Sequence, residues 1–120
     1  MKKILALFCL LFGAAFAGDQ VQEVEWDEAV RLSKKGAVFL DVRTPDETVA
    51  GMVTGALTIP LAELATRFGE LPKDKTLLVY CRSGARSMKA SEFLLSKGLD
   101  VRNVKGGFLK VPPASVLPHN

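Results

Sequence analysis

One stretch of the chain holds residues whose types and spacing could do chemistry. It is Cys81-Arg82-Ser83-Gly84-Ala85-Arg86-Ser87, directly after the apolar run Leu77-Leu78-Val79-Tyr80. The run is apolar at both alternating positions, the pattern of a central parallel strand covered by helices on both sides. The residues after the loop switch to helical spacing, so the chain must reverse within a few residues. Gly84 supplies the dihedral freedom for that reversal. Backbone N–H groups at a strand-to-helix turn have no intrahelical partners, and they converge into an anion cradle. The residue at the mouth of the cradle is a thiol. The helix N-terminus, Arg82 and Arg86 are together expected to favour thiolate, which makes Cys81 nucleophilic near neutral pH. The plain alternative is a small buried hydrophobe ending a strand; the arginines, serine and glycine around it favour the reactive reading.

A second cluster lies earlier, where Asp41 and Arg43 end an apolar strand and Asp46 and Glu47 follow Pro45. In open α/β sheets, ligands bind at the carboxyl ends of strands, so these residues could touch substrate. The favoured reading is structural: Arg43 pairs with a nearby carboxylate and supports the loop. Metal binding finds no support in the sequence. His119 is the one histidine, in a proline-rich end, and the usual Cys/His ligand spacings are absent.

The elements that must position these residues begin after residue 17. Lys2 and Lys3 precede an apolar run from Ile4 to Phe16 that closes on Ala15-Phe16-Ala17, a small-x-small cleavage pattern. The run is short for a membrane span, which needs about 20 apolar residues. Phe8 before Cys9 is too bulky for lipoprotein processing. Residues 1–17 are therefore expected to be a cleaved signal peptide, with the mature chain exported to the periplasm, or secreted where there is no outer membrane. Stable membrane insertion is not expected after processing. Cleavage removes two lysines, so the net charge falls from +3 to +1, and it leaves Cys81 as the single cysteine. Nucleic-acid binding thereby loses its main support, and a Cys-x-x-Cys redox mechanism is excluded.

The remainder alternates short strands with helical stretches, which predicts an α/β fold with a mainly parallel sheet. Strands are expected at Val21–Val24, Ala37–Leu40, Leu57–Ile59, the run ending at Tyr80, and Val101–Val104. Trp26, Ala29, Val30 and Ser33 fall at helical spacing, and Gly36 ends that helix. The phase of Trp26 favours core packing over a ligand platform. Leu61, Leu64, Ala65 and Phe68 mark a short helix stopped by Gly69 and Pro72. Ala90, Phe93 and Leu94 form the buried stripe of the helix after the loop. Gly98 caps it, Lys97 suits its negative end, and Leu99 folds back on Leu94. A single domain is expected over residues 18–111, with 112–120 as a proline-rich extended tail.

Cys81-Arg82-Ser83-Gly84-Ala85-Arg86-Ser87 resembles the active-site loop of rhodanese-like sulfurtransferases. Asp41-Val42-Arg43, Gly55-Ala56-Leu57-Thr58-Ile59-Pro60 and Gly106-Gly107 resemble further motifs of that family, in the same order, and the likeness runs from Glu23 to Leu109. The resemblance implies a three-layer fold with a five-stranded central sheet flanked by helices. It also implies a sulfane sulfur carried as a Cys81 persulfide from a donor such as thiosulfate to cyanide or a thiol, with no cofactor. The implied partners are a small sulfur-containing anion and a thiol acceptor, small or protein-borne, and the protein is expected to be a monomer. Phosphatases of the same fold place five residues between cysteine and arginine. Here four residues separate Cys81 from Arg86, and the tighter cradle suits one outer sulfur better than a phosphate. Residues 82–87 are the expected substrate-binding set. Ser83 and Ser87 are read either as donors to sulfur or as helix caps. Met52, Thr58 and Val111 depart from the family's usual histidine, asparagine and tryptophan, and Phe108 and Lys110 are expected to shape the pocket mouth instead. A non-turnover anion- or partner-binding module, or a persulfide carrier for another exported protein, is the competing class.

Overall fold

The computed structural model describes residues 21–117; the expected signal peptide and His119 lie outside them. Five strands form one sheet: β1 (Gln22–Val24), β2 (Val38–Asp41), β4 (Leu57–Thr58), β5 (Leu77–Tyr80) and β6 (Val101–Val104). Their order across the sheet is β1-β6-β5-β2-β4, and every neighbouring pair is parallel. This is the expected mainly parallel five-stranded sheet flanked by helices. All four residues of β5 are buried, because a central parallel strand is covered on both faces.

Alternation along the strands separates two cores. Leu77, Val79 and Cys81 join Leu40, Val42 and Val101 on one face, under α4 (Ala85–Ser96) through Ala90 and Leu94. Leu78 and Tyr80 join Phe39 and Val104 on the other, under α1 (Trp26–Ser33) through Trp26 and Ala29. Trp26 is core, stacked on Phe39 and tilted against Tyr80, each at 5.7 Å between centroids. Gly98, at φ 87°, closes α4 in the left-handed region where glycine costs least. The Leu99 amide then donates to the Leu94 carbonyl at 3.1 Å. Lys97 lies over the rings of Phe68 and Phe93, beyond its expected role at the helix end.

Three local features differ from expectation. The Leu61–Phe68 helix is split into two 3-10 turns around a four-residue α3 (Leu64–Arg67). A five-residue α2 (Pro45–Val49) follows β2, started by a capping box of Thr44 and Glu47 with Pro45 in its first turn. The proline-rich end does not trail as an extended tail throughout. Pro113–Ser115 form a 3-10 turn, and β7 (Val116–Leu117) pairs antiparallel with β3 (Met52–Val53). A two-residue pairing has no period to read in sequence; the turn at Pro113 delivers the strand to its partner.

Candidate active site

Strand β5 delivers Cys81 to the carboxyl edge of the sheet, and α4 begins four residues later. Between them Gly84 adopts φ 120°, a conformation that an L side chain would strain. The reversal turns successive amides toward the sulfur. The Gly84 N–H donates to Cys81 Sγ at 3.1 Å and the Ser87 N–H at 3.3 Å. Ser87 Oγ lies 3.4 Å from Sγ and also donates to the Gly84 carbonyl at 3.2 Å. Ser87 is fully buried and Cys81 is 1% exposed. Burial pushes the Cys81 thiol up, yet the Ser87 hydroxyl and the amides of Ser87, Gly84 and Ser83 outweigh it, and the thiol lies below its ordinary value. Ser87 thus both contacts the sulfur and bonds within the first turn of the helix.

Of the expected sources of that depression, the amides at the helix N-terminus are present and the arginine contribution is corrected. Arg86 does not act chiefly on the sulfur: its two terminal nitrogens donate to Glu47 at 2.8 and 2.9 Å. Arg86 is raised first by this hydrogen bond, and the Cys81 charge is a smaller contributor. Glu47 is held down at about 2 by Arg86, against a smaller opposing effect of burial. Direct hydrogen bonds dominate because they meet the sulfur at contact distance, whereas Arg86 shares its charge with a closer carboxylate. Arg82, Ser83 and Ala85 are exposed along the loop, which leaves Arg82 as the loop's outward-facing cation.

The carbonyl side of the loop is equally determined. Phe108 N–H donates to the Cys81 carbonyl at 2.8 Å and Leu109 N–H to the Arg82 carbonyl at 3.1 Å. Both donors belong to the 3-10 turn Gly107–Lys110. With those carbonyls tied down on one side, the amides that follow face the sulfur on the other. Gly107 has φ 58°, and a Cβ there would sit 2.6 Å from both carbonyl oxygens, so only glycine permits this approach. Trp26 Nε1 donates to the Gly107 carbonyl at 2.9 Å and secures the turn from below.

Asp41 and Arg43 do not reach the sulfur. Arg43 Nη2 donates to Asp41 Oδ2 at 2.7 Å and to the Gly51 carbonyl at 2.8 Å, in a buried pair. The guanidinium lies 4.0 Å from the Phe108 ring centroid. Phe108 stacks on Tyr80 and is therefore part of the support behind the loop, not the pocket mouth. Tyr80 accepts from the Val53 N–H at 3.0 Å, and its phenol is pushed up, first by burial and then by Asp41. Lys110 is exposed, Val111 packs partly buried beside the Trp26 core, and Thr58 is exposed at the end of β4.

Sequence reasoning missed two participants. By sequence Glu47 reads as part of the charge cluster, with nothing to join it to Arg86, which is 39 positions away. The Thr44-x-x-Glu47 capping box was the available signal, and it locates a helix start, not a partner. Gly107 was legible as part of a turn, but its contact with the Cys81 and Arg82 carbonyls was not. Among the described residues, no group of three or more His, Cys, Asp or Glu is placed to hold a metal, and no helix is long and apolar enough to cross a membrane.

Residues 25–111 match the rhodanese-like domain family. The chain is 41% identical over 73 residues to a sulfurtransferase of Allochromatium vinosum, covering 60% of this chain and 68% of that protein. It is 34% identical over 109 residues to the Bacillus subtilis protein YqhL, covering 89% and 86%. The fold also superposes on the crystal structure of reduced Bacillus anthracis CoADR-RHD with a TM-score of 0.76 and 39% identity. That match covers 82% of this chain and 18% of the longer one.

Proposed function

The chain belongs to the rhodanese-like domain family, and on that premise we propose that it is a sulfurtransferase that carries a sulfane sulfur as a Cys81 persulfide. The donor is a small anion such as thiosulfate, and the acceptor is cyanide or a thiol. One observation carries the reading: a buried Cys81 sulfur receives backbone N–H groups from Gly84 and Ser87 at 3.1 and 3.3 Å. Such a cradle stabilises negative charge on sulfur without a counter-ion to displace. A structural cysteine ending a strand would need neither amide.

The cycle has two displacements. Cys81 thiolate attacks the outer sulfur of thiosulfate; a new S–S bond forms, the donor's S–S bond breaks, and sulfite leaves with the electron pair. Arg82, exposed at the loop, offsets the charge of the incoming dianion. Arg86 contributes less, because Glu47 already occupies it. An acceptor then attacks the outer sulfur, and the electron pair of the breaking bond returns to Cys81 as thiolate. Two half-reactions through one covalent intermediate imply ping-pong kinetics. The apolar run and small-residue site of residues 1–17 support export of the protein as part of the same proposal.

The test is intact-mass spectrometry before and after thiosulfate, with and without cyanide, beside a Cys81→Ser control. The expected result is a gain of one sulfur on Cys81 that cyanide removes and the control never shows. A folded protein that gains no sulfur from thiosulfate or from inorganic polysulfide overturns the proposal in favour of a non-turnover binding module.

A further inference from the structure

Beside the loop lies an open-sided cavity of about 280 Å³, lined by Val42, Thr44, Pro60, Leu61, Ala62 and Arg86. Its position follows from strand register. Asp41 pairs with Tyr80 across β2 and β5, so Val42 stands next to Cys81, about 5 Å away at one strand spacing. Val42 and Cys81 belong to the same core cluster, on the α4 face of the sheet. Two lining residues therefore border the nucleophile's loop: Val42, beside Cys81 across the sheet, and Arg86 on the loop itself.

The polar groups around this cavity are already engaged. Thr44 Oγ1 donates to Glu47 at 3.1 Å and accepts from the Glu47 N–H at 3.4 Å. Both terminal nitrogens of Arg86 donate to the same carboxylate, which neutralises the cation. The Leu61 N–H donates to the Val42 carbonyl at 3.0 Å. What remains for a guest is the surface of Pro60, Leu61 and Ala62, with the buried Val42 beneath them. A polar or dianionic guest would give up water here without gaining partners, whereas an apolar guest gains by burial. The volume is at the small end for ligand sites, enough for a ring or a short alkyl chain.

We propose that this cavity binds the organic body of the sulfur acceptor, and that the acceptor is a small thiol with a neutral apolar group. The inference rests on the sulfur-transfer reading above. In the step it serves, the guest's thiolate attacks the outer sulfur of the Cys81 persulfide. A bond forms between the two sulfurs, the bond to Sγ breaks, and Cys81 recovers its thiolate while the guest leaves as a persulfide. The apolar body packs on Leu61 and Ala62 and brings its sulfur alongside the loop, an effect of proximity.

The test compares benzyl thiol with 2-mercaptoethanol as acceptors, cyanide serving as the reference, on protein preloaded with thiosulfate or polysulfide. Benzyl thiol is expected to exceed mercaptoethanol in kcat/KM by at least about tenfold after correction for thiolate content. Ala62→Phe, which fills the cavity from an exposed position, is expected to lower the ratio of benzyl thiol to cyanide by about tenfold or more. Equal rates for the two thiols, or a ratio that Ala62→Phe leaves unmoved, overturn the proposal. Benzyl alcohol, an inert probe, is expected to shift the amide resonances of Val42, Leu61 and Ala62 in the full chain; unmoved resonances also overturn it. That binding experiment does not depend on turnover. Shifts without persulfide formation would sink sulfur transfer and leave the apolar site standing. Persulfide discharge by cyanide with no thiol preference would do the reverse.

Discussion

Removing one hydroxyl should weaken the thiolate more than removing one arginine. Ser87 Oγ is 3.4 Å from Cys81 Sγ in a fully buried setting, and the Gly84 and Ser87 amides remain when the hydroxyl is deleted. When the thiol ionises, the Ser87 hydroxyl turns its one proton from the Gly84 carbonyl to the sulfur. A hydrogen bond to a charged group contributes roughly 1.5–3 kcal/mol, and the long contact and the carbonyl bond given up place this one at the lower end. About 1.4 kcal/mol is tenfold in an equilibrium ratio, so Ser87→Ala should lower the thiolate-to-thiol ratio at a given pH roughly tenfold. The midpoint should move up toward the ordinary thiol value, since burial, which raises it, is then less well opposed. Thiolate ultraviolet absorbance against pH reads this directly and does not need a reagent to reach a buried sulfur. Arg86→Gln should move the midpoint less, because Glu47 already holds that charge. The linkage has a definite sign. A depressed folded value contributes stability above the ordinary thiol value, and the contribution is lost as pH falls through the folded value. The stability difference between wild type and Ser87→Ala should therefore widen as pH rises through that window. A thiolate-to-thiol ratio within twofold of wild type, or a larger effect from Arg86→Gln, would refute the account and return the arginine field to first place.

Two further outcomes test the frame around the loop. Glu47→Gln should cost about 1 kcal/mol at neutral pH in a urea titration, since the Arg86 pair is partly solvated. Glu47 is lowered from 4.5 to about 2, so its contribution is present above 4.5 and fades as pH falls toward 2. The variant should lack that acid-dependent loss, and a parallel decline in both proteins would speak against the pair. Gly107→Ala should cost about 3 kcal/mol, because its Cβ would meet two backbone carbonyl oxygens at 2.6 Å. Thermal melting within a few degrees of wild type would mean that the turn can yield.

Much of this protein is legible in its sequence because the signals are local. The apolar run to Tyr80 announces a central strand, and the switch of period after it announces a helix; together they determine a strand–loop–helix unit with Cys81 at the turn. Trp26 falls in phase with Ala29, and both are core. Gly98 marks a helix end wherever that helix packs. What sequence alone could not decide are contacts between distant segments. Glu47 meets Arg86 only because α2 and α4 begin at the same edge of the sheet. Arg82 and Arg86 look equivalent by spacing, yet one faces outward and the other is bound. Gly106-Gly107 reads as a turn, but only the tertiary fold places it against the carbonyls of Cys81 and Arg82. The same holds for the proline-rich end, whose two-residue strand depends on β3. The physical reason is common to all of them. Periodicity and dihedral preference belong to the chain, whereas the direction of a charge or a carbonyl depends on which elements the sheet order makes neighbours.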